Sequence, residues 1–250
     1  MGDLPATRVQ PSFPFAVTEA DYAGPFLLKG RRGRGCKTYK GYVCLFICLS
    51  TKASHLELGS ELSTQKTFLS ASKCFISRRG KPTQLMSDNE SNFTGVFNEL
   101  NVLNEFFKLN KDKIKDECNH NQISWKFILC YTPHFGGIWE LGVKSMKSHM
   151  KRVYSNSLLT YEDFQTILVQ IEGILNSRLF SPLSNDTSDL NPLTPSHFLI
   201  GRPIISIPKV DISVERETRL QLHERLQFLQ QHFWKRWSLE YISELQQRQK

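Results

Sequence analysis

A chain of 250 residues, 40% hydrophobic and 22% charged, has the ordinary balance of a soluble globular protein, with room for one good-sized domain plus an appendage. No run of about 18 apolar residues is present to span a membrane, and the opening MGDLPATRVQPSFPF is too polar and proline-broken for a signal peptide, with Ala6 where myristoylation needs Ser or Thr. The formal charge of +8 points to an anionic partner, nucleic acid ahead of an acidic membrane surface.

In chain order, residues 1–14 carry three prolines and form an extended lead-in. Residues 15–20 read as a short strand running into Asp21, closed by Tyr22-Ala-Gly-Pro25. The basic, Gly-rich stretch 29–40 suits a hairpin loop, and 42–49 (YVCLFICL), apolar on both alternating faces, suits a strand covered on each side. Residues 55–58 (HLEL) alternate like a more exposed strand. Ser63 is placed to cap a helix running to about Ser77, and 83–86 is a short strand delivering Asp88. Residues 93–107 read as helix, 108–121 as an exposed charged insertion, and 123–129 as another strand. Gly136 and Gly137 precede a patterned helix over 138–154, and a second over 161–179 buries Phe164, Ile167, Leu168, Ile171, Ile174 and Leu175.

These elements divide the chain into a core over 15–180, a proline-rich linker or wrapping arm over 181–214, and an amphipathic helical start of a further domain over 215–250. Leu222, Leu226, Leu229, Phe233 and Trp237 fall on one stripe of that tail, which therefore needs a partner surface. Strands with interleaved helices argue for an α/β domain. The six cysteines form no Cys-x-x-Cys pair, and Cys44 and Cys48 lie in an apolar run, so a reducing, intracellular compartment is expected.

Three carboxylates stand out by setting. Asp21 and Asp88 end strands and Glu140 begins a helix. Strand ends converge at one edge of a sheet, and a helix packed there adds a third ligand. Mg²⁺ takes such hard oxygen donors, and two ions serve phosphoryl transfer. On the same helix Glu140, Lys144, Lys147 and Lys151 share one face, while Val143, Met146, Met150 and Val153 form a separate apolar stripe. Residue by residue, plainer roles stand beside these: a turn for Asp21, a helix cap for Asp88 and a solvated ion pair for Glu140.

The motifs DYAGPF (21–26), STKASHLEL (50–58), RGKP (79–82), SDN (87–89), NF (92–93) and above all PHFGGIWELGVKSMK (133–147) resemble the core of retrotransposon integrases. The resemblance is to the Pao/BEL branch in particular, which LNSR (175–178), LTP (193–195), HFLIGRP (197–203) and HFWKRW (232–237) share in collinear order. It implies a ribonuclease-H-like mixed sheet flanked by helices, with a helical C-terminal extension. It implies a catalytic triad of Asp21, Asp88 and Glu140 holding two Mg²⁺ or Mn²⁺ ions, trimming of element DNA ends and their joining to target DNA. Asn89, His134, Gly136, Gly137, Lys144, Lys147 and Lys151 are the implied DNA contacts, with 133–137 a mobile loop before the catalytic helix. A homo-oligomer acting in the nucleus, after cytoplasmic passage within an integration complex, is implied as well.

Two departures bear on activity. Glu90 stands where the family usually has Gly, and no His/His/Cys/Cys zinc module precedes the core, so no zinc site is expected and the chain reads as a polyprotein fragment or a domesticated copy. The alternative to an active enzyme is a catalytically impaired, integrase-derived DNA-binding or assembly protein. The basic cluster Lys29, Arg31, Arg32, Arg34 and Lys37 suits a solvated hairpin, with phosphate binding or nuclear import as the functional readings. Trp234 and Trp237 suit helix packing better than base stacking, and Cys118 with His120 is too close-spaced for zinc.

Overall fold

The computed structural model describes residues 12–33, 35–60, 64–88, 123–128, 133–154, 157–183, 191–217 and 220–247. Expectations for Ser63, Asn89, Glu90, the 93–107 helix, the 108–121 insertion and Cys118 with His120 lie outside these residues.

Among the described residues the main sheet has the order β3-β2-β1-β4-β5, built from β1 (Val17–Lys29), β2 (Thr38–Cys48), β3 (Ser54–Ser60), β4 (Gln84–Asp88) and β5 (Ser124–Ile128). β2 runs antiparallel to β1 and β3, whereas β4 is parallel to both β1 and β5. A short β6 (Leu159–Thr160) adds to the far end of β1. Helix α1 (Thr64–Arg79) covers one face. The other is covered by α2 (Pro133–Tyr154) and α3 (Tyr161–Asn176). The fold is the α/β mixed sheet flanked by helices expected of a ribonuclease-H-like core.

The alternation along β2 explains the layering. Val43, Leu45 and Ile47 join the core under α2 and α3, while Cys44, Phe46 and Cys48 join the core under α1. All six are at most 1% exposed, as a strand covered on both faces requires.

Three expectations are corrected. Tyr22 to Pro25 does not close β1: the strand continues to Lys29 through a register shift between Ala23 and Phe26. That bulge puts Phe26 and Leu28 on the same face as Ala23, where simple alternation would have turned them away. Gly24 permits it, since its φ of 137° excludes most side chains and a Cβ there would lie 3.1 Å from the Gly41 carbonyl oxygen. Second, the stretch from Pro133 to Gly137 is helical, so α2 begins earlier than the expected loop. Proline suits a first helical turn because its fixed φ is preorganised and its missing N–H would find no partner there. Third, β3 is not exposed; His55 and Glu57 are buried at 1% and 5%.

The edge of β3 is closed by side chains of α3. The Tyr161 hydroxyl donates to the Leu58 carbonyl at 3.1 Å, and Glu172 accepts from the Leu56 N–H at 2.9 Å. Asn176 accepts from the Ser54 N–H and donates to its carbonyl, both at 2.8 Å. These groups satisfy backbone that would otherwise template another strand.

After α3, β7 (Ser181–Pro182) pairs with β8 (Pro192–Leu193), and Thr194 and His197 form a capping box at α4 (Pro195–Ile200). The last helix, α5 (Leu222–Gln247), packs on α2 and α3. Its Leu229, Phe233 and Trp237 enter the same core as Met146, Met150 and Phe164. The apolar stripe of the tail thus finds its partner surface within this chain, whereas Trp234 remains 55% exposed.

Candidate active site

β1 and β4 are parallel neighbours whose register ends at Ala20 opposite Ser87. One residue further along each strand stand Asp21 and Asp88, and Asp88 is itself in register with Ile128 of β5. Adjacent strands lie about 4.8 Å apart, so two aspartates 88 − 21 = 67 positions apart in sequence come side by side at backbone level.

Asp21 is half-buried. Its Oδ1 accepts the N–H of Tyr22 at 2.6 Å, and its Oδ2 carries the ammonium of Lys147 from α2. α2 is held there by Met146, Met150 and Tyr154, each at most 2% exposed, at helical spacing on one face. Glu140 lies in the same helix seven residues, or two turns (~10.5 Å), before Lys147. Lys144 and Lys151 are exposed on α2; His134, Gly136 and Gly137 belong to its first turns at backbone level.

The donor chemistry fits a hard divalent cation. The Asp21 carboxylate reaches solvent and holds the ammonium of Lys147, and a carboxylate oxygen is the ligand type such ions prefer. No cluster of three or more metal-binding side chains forms among the described residues.

A second polar constellation went unread in the sequence. His55 bonds Glu57 at 2.9 Å through Nε2 and approaches Glu172 at 3.1 Å through Nδ1. Arg78 reaches Glu57 at 2.9 Å, and Arg79 pairs with Glu172. Burial pulls the His55 imidazole down, yet the two carboxylates outweigh it and the net shift is upward. Burial likewise raises the Glu172 carboxyl, but His55, the Leu56 N–H and Arg79 bring it below its ordinary value. The available signal was the pair of polar residues in HLEL, whose strand lies at the edge and receives its cover from distant helices.

The family model described as a family of unknown function (DUF5641) matches residues 221–250. No curated protein matches the chain. Among solved structures it is similar to the simian T-cell lymphotropic virus intasome in complex with PP2A regulatory subunit B56 gamma, at 11% identity and a TM-score of 0.45. That match covers 85% of this chain and 64% of the other, so this chain spans less than two thirds of that relative's length. It is also similar to the HTLV-2 integrase catalytic core domain in complex with magnesium (trimeric form), at 14% identity and a TM-score of 0.44, covering 76% of this chain and 99% of that one. A third likeness is to the catalytic core domain of BIV integrase, at 14% identity and a TM-score of 0.42, covering 73% and 92%.

Proposed function

We propose that this chain is an integrase-type polynucleotidyl transferase of a Pao/BEL-like retroelement, which trims element DNA ends and joins them to target DNA. Asp21, Asp88 and Glu140 are its metal ligands and Mg²⁺ or Mn²⁺ its cofactor. The observation that carries this reading is the register of β1 and β4, with Asp21 and Asp88 at adjoining positions, beside the helix that contains Glu140 and touches Asp21 through Lys147. The collinear motifs support it independently.

Two bound ions would supply charge stabilisation to the attacking and leaving oxygens of a phosphodiester. The chain's own contribution is positional. The sheet holds the two aspartates level, the methionine face of α2 fixes that helix against it, and exposed Lys144 and Lys151 offer charge to a DNA backbone. In this reading a homo-oligomer works on element ends and target DNA in the nucleus.

A catalytically impaired DNA-binding or assembly protein is the second reading. The Lys147–Asp21 pair favours it, because an ammonium there competes with a metal ion for the carboxylate. The deciding assay incubates the full chain with Mg²⁺ and a pre-trimmed duplex end. Strand transfer that Asp88→Asn abolishes supports the enzyme; DNA binding without transfer, unaffected by Mg²⁺, supports the second reading.

A further inference from the structure

A basic surface outside the candidate site is the turn between β1 and β2. It carries Lys29, Arg31, Arg32 and Lys37. Gly30 N–H donates to the Lys37 carbonyl at 3.0 Å, closing the hairpin, and Arg32 bonds Asp163 at the start of α3 at 2.8 Å. At its base, Leu28 and Lys29 pair with Leu159 and Thr160 of β6. The hairpin is therefore pinned to the body of the protein.

Charge accounting leaves a surplus. Asp163 is satisfied by Arg32, and Glu162 is the other nearby carboxylate, close enough to Tyr39 that it adds to burial in raising that phenol. Lys29, Arg31 and Lys37 have no ion-pair partner among the described residues, and Arg31 and Lys37 are exposed. Concentrated, unpaired positive charge suits a polyanion with regularly spaced phosphates.

The position along β1 adds a length. From Asp21 to Lys29 the strand spans eight residues, one of them taken up by the bulge, against the seven from Leu45 to Thr38 on β2, or about 23 Å. Helix α2 carries Lys147, Lys151 and Arg152 on the face it covers together with α3, and Arg32 bonds Asp163 of α3, so the hairpin reaches toward the side of the sheet that holds the lysine row. A duplex rising about 3.4 Å per base pair covers that distance in roughly seven base pairs.

We infer that the β1–β2 hairpin is a second phosphate-backbone contact for duplex DNA, about seven base pairs from Asp21. This rests on the DNA-processing reading above. An import receptor fits less well, because the Gly30–Lys37 backbone bond closes the hairpin and Arg32 is engaged by Asp163.

The test measures anisotropy of the full chain on a labelled duplex of about 20 base pairs over 50–200 mM salt. Arg31→Ala with Lys37→Ala is compared with Lys73→Ala with Lys81→Ala, exposed charges belonging to the α1 side. Losing two phosphate contacts lowers the salt slope by about 1.8, so wild type should weaken about 12-fold more than the hairpin variant across that range. The α1-side variant keeps the wild-type slope. In addition, neutral methylphosphonates about six to eight base pairs from the reactive end should weaken wild type and leave the hairpin variant unchanged. The same series on an end-blocked duplex separates target DNA from element ends. If wild type binds and both variants share its slope, the hairpin inference fails alone; if wild type does not bind DNA, the underlying reading fails. Unchanged circular dichroism melting of the hairpin variant guards against misfolding.

Discussion

The ammonium of Lys147 on α2 lies on the Oδ2 carboxylate oxygen of Asp21 on β1, a contact across 126 residues of chain. It joins the helix that contains Glu140 to the strand that carries the first aspartate. Both side chains keep substantial solvent access, at 28% and 33%, so the pair contributes below about 1 kcal/mol to folding. Lys147→Ala should therefore leave stability nearly intact while removing a competitor for the carboxylate. Mn²⁺ titration followed by electron paramagnetic resonance should show tighter binding in Lys147→Ala than in wild type, with Lys147→Arg close to wild type. Equal affinities in all three would remove the competition argument.

The His55 network predicts a pH dependence of stability. His55 has its folded pKa raised above 6.5, so its contribution is present below 6.5 and is lost as pH rises through the folded value. Glu172 has its folded pKa lowered below 4.5, so its share is present above 4.5 and is lost as pH falls through the lowered value. The common window lies between those ordinary values and extends some way beyond each. His55→Gln should cost about 1–3 kcal/mol near pH 6, where the charge-assisted hydrogen bonds to Glu57 and Glu172 are lost although Arg78 and Arg79 still pair those carboxylates, and less near pH 9. Urea unfolding at the two pH values is the measurement, and an identical loss at both would contradict the assignment.

Asn176 closes the edge of β3 with two hydrogen bonds to Ser54 and is 1% exposed. Asn176→Ala strands a buried N–H and a buried carbonyl, at about 1–3 kcal/mol each. A loss of roughly 2–4 kcal/mol by urea denaturation is expected, together with faster aggregation on warming. Asn176→Asp should cost at least as much at neutral pH, because it sets a buried carboxylate oxygen against the Ser54 carbonyl.

Phe233 tests how α5 belongs to the core. It is fully buried, with its ring centroid 6.3 Å from that of Tyr154 on α2. Phe233→Ala should cost about 3–5 kcal/mol in a single cooperative transition. A separate early transition confined to α5, with the remaining structure unperturbed, would show instead that the helix docks as an independent unit.

Most strands and the flanking helices were legible in the sequence because periodicity is local. YVCLFICL announced a doubly covered strand, and the 3.6-residue spacing of Met146 and Met150 announced a docked helix face. Asp21 and Asp88 were legible as residues of distinct motifs, and their pairing needed the register of two parallel strands joined by distant contacts. The continuation of β1 past Gly24 was hidden because Gly-Pro normally punctuates a strand, and only its pairing with β2 makes it a bulge. The burial of His55 and Glu57 was hidden because alternating polar residues look solvent-facing until α1 and α3 cover them. Local chemistry determined which segments become strand or helix and which residues are candidates. Long-range packing decided their burial, their partners and their company, because those depend on surfaces contributed by residues from about twenty to more than a hundred positions away.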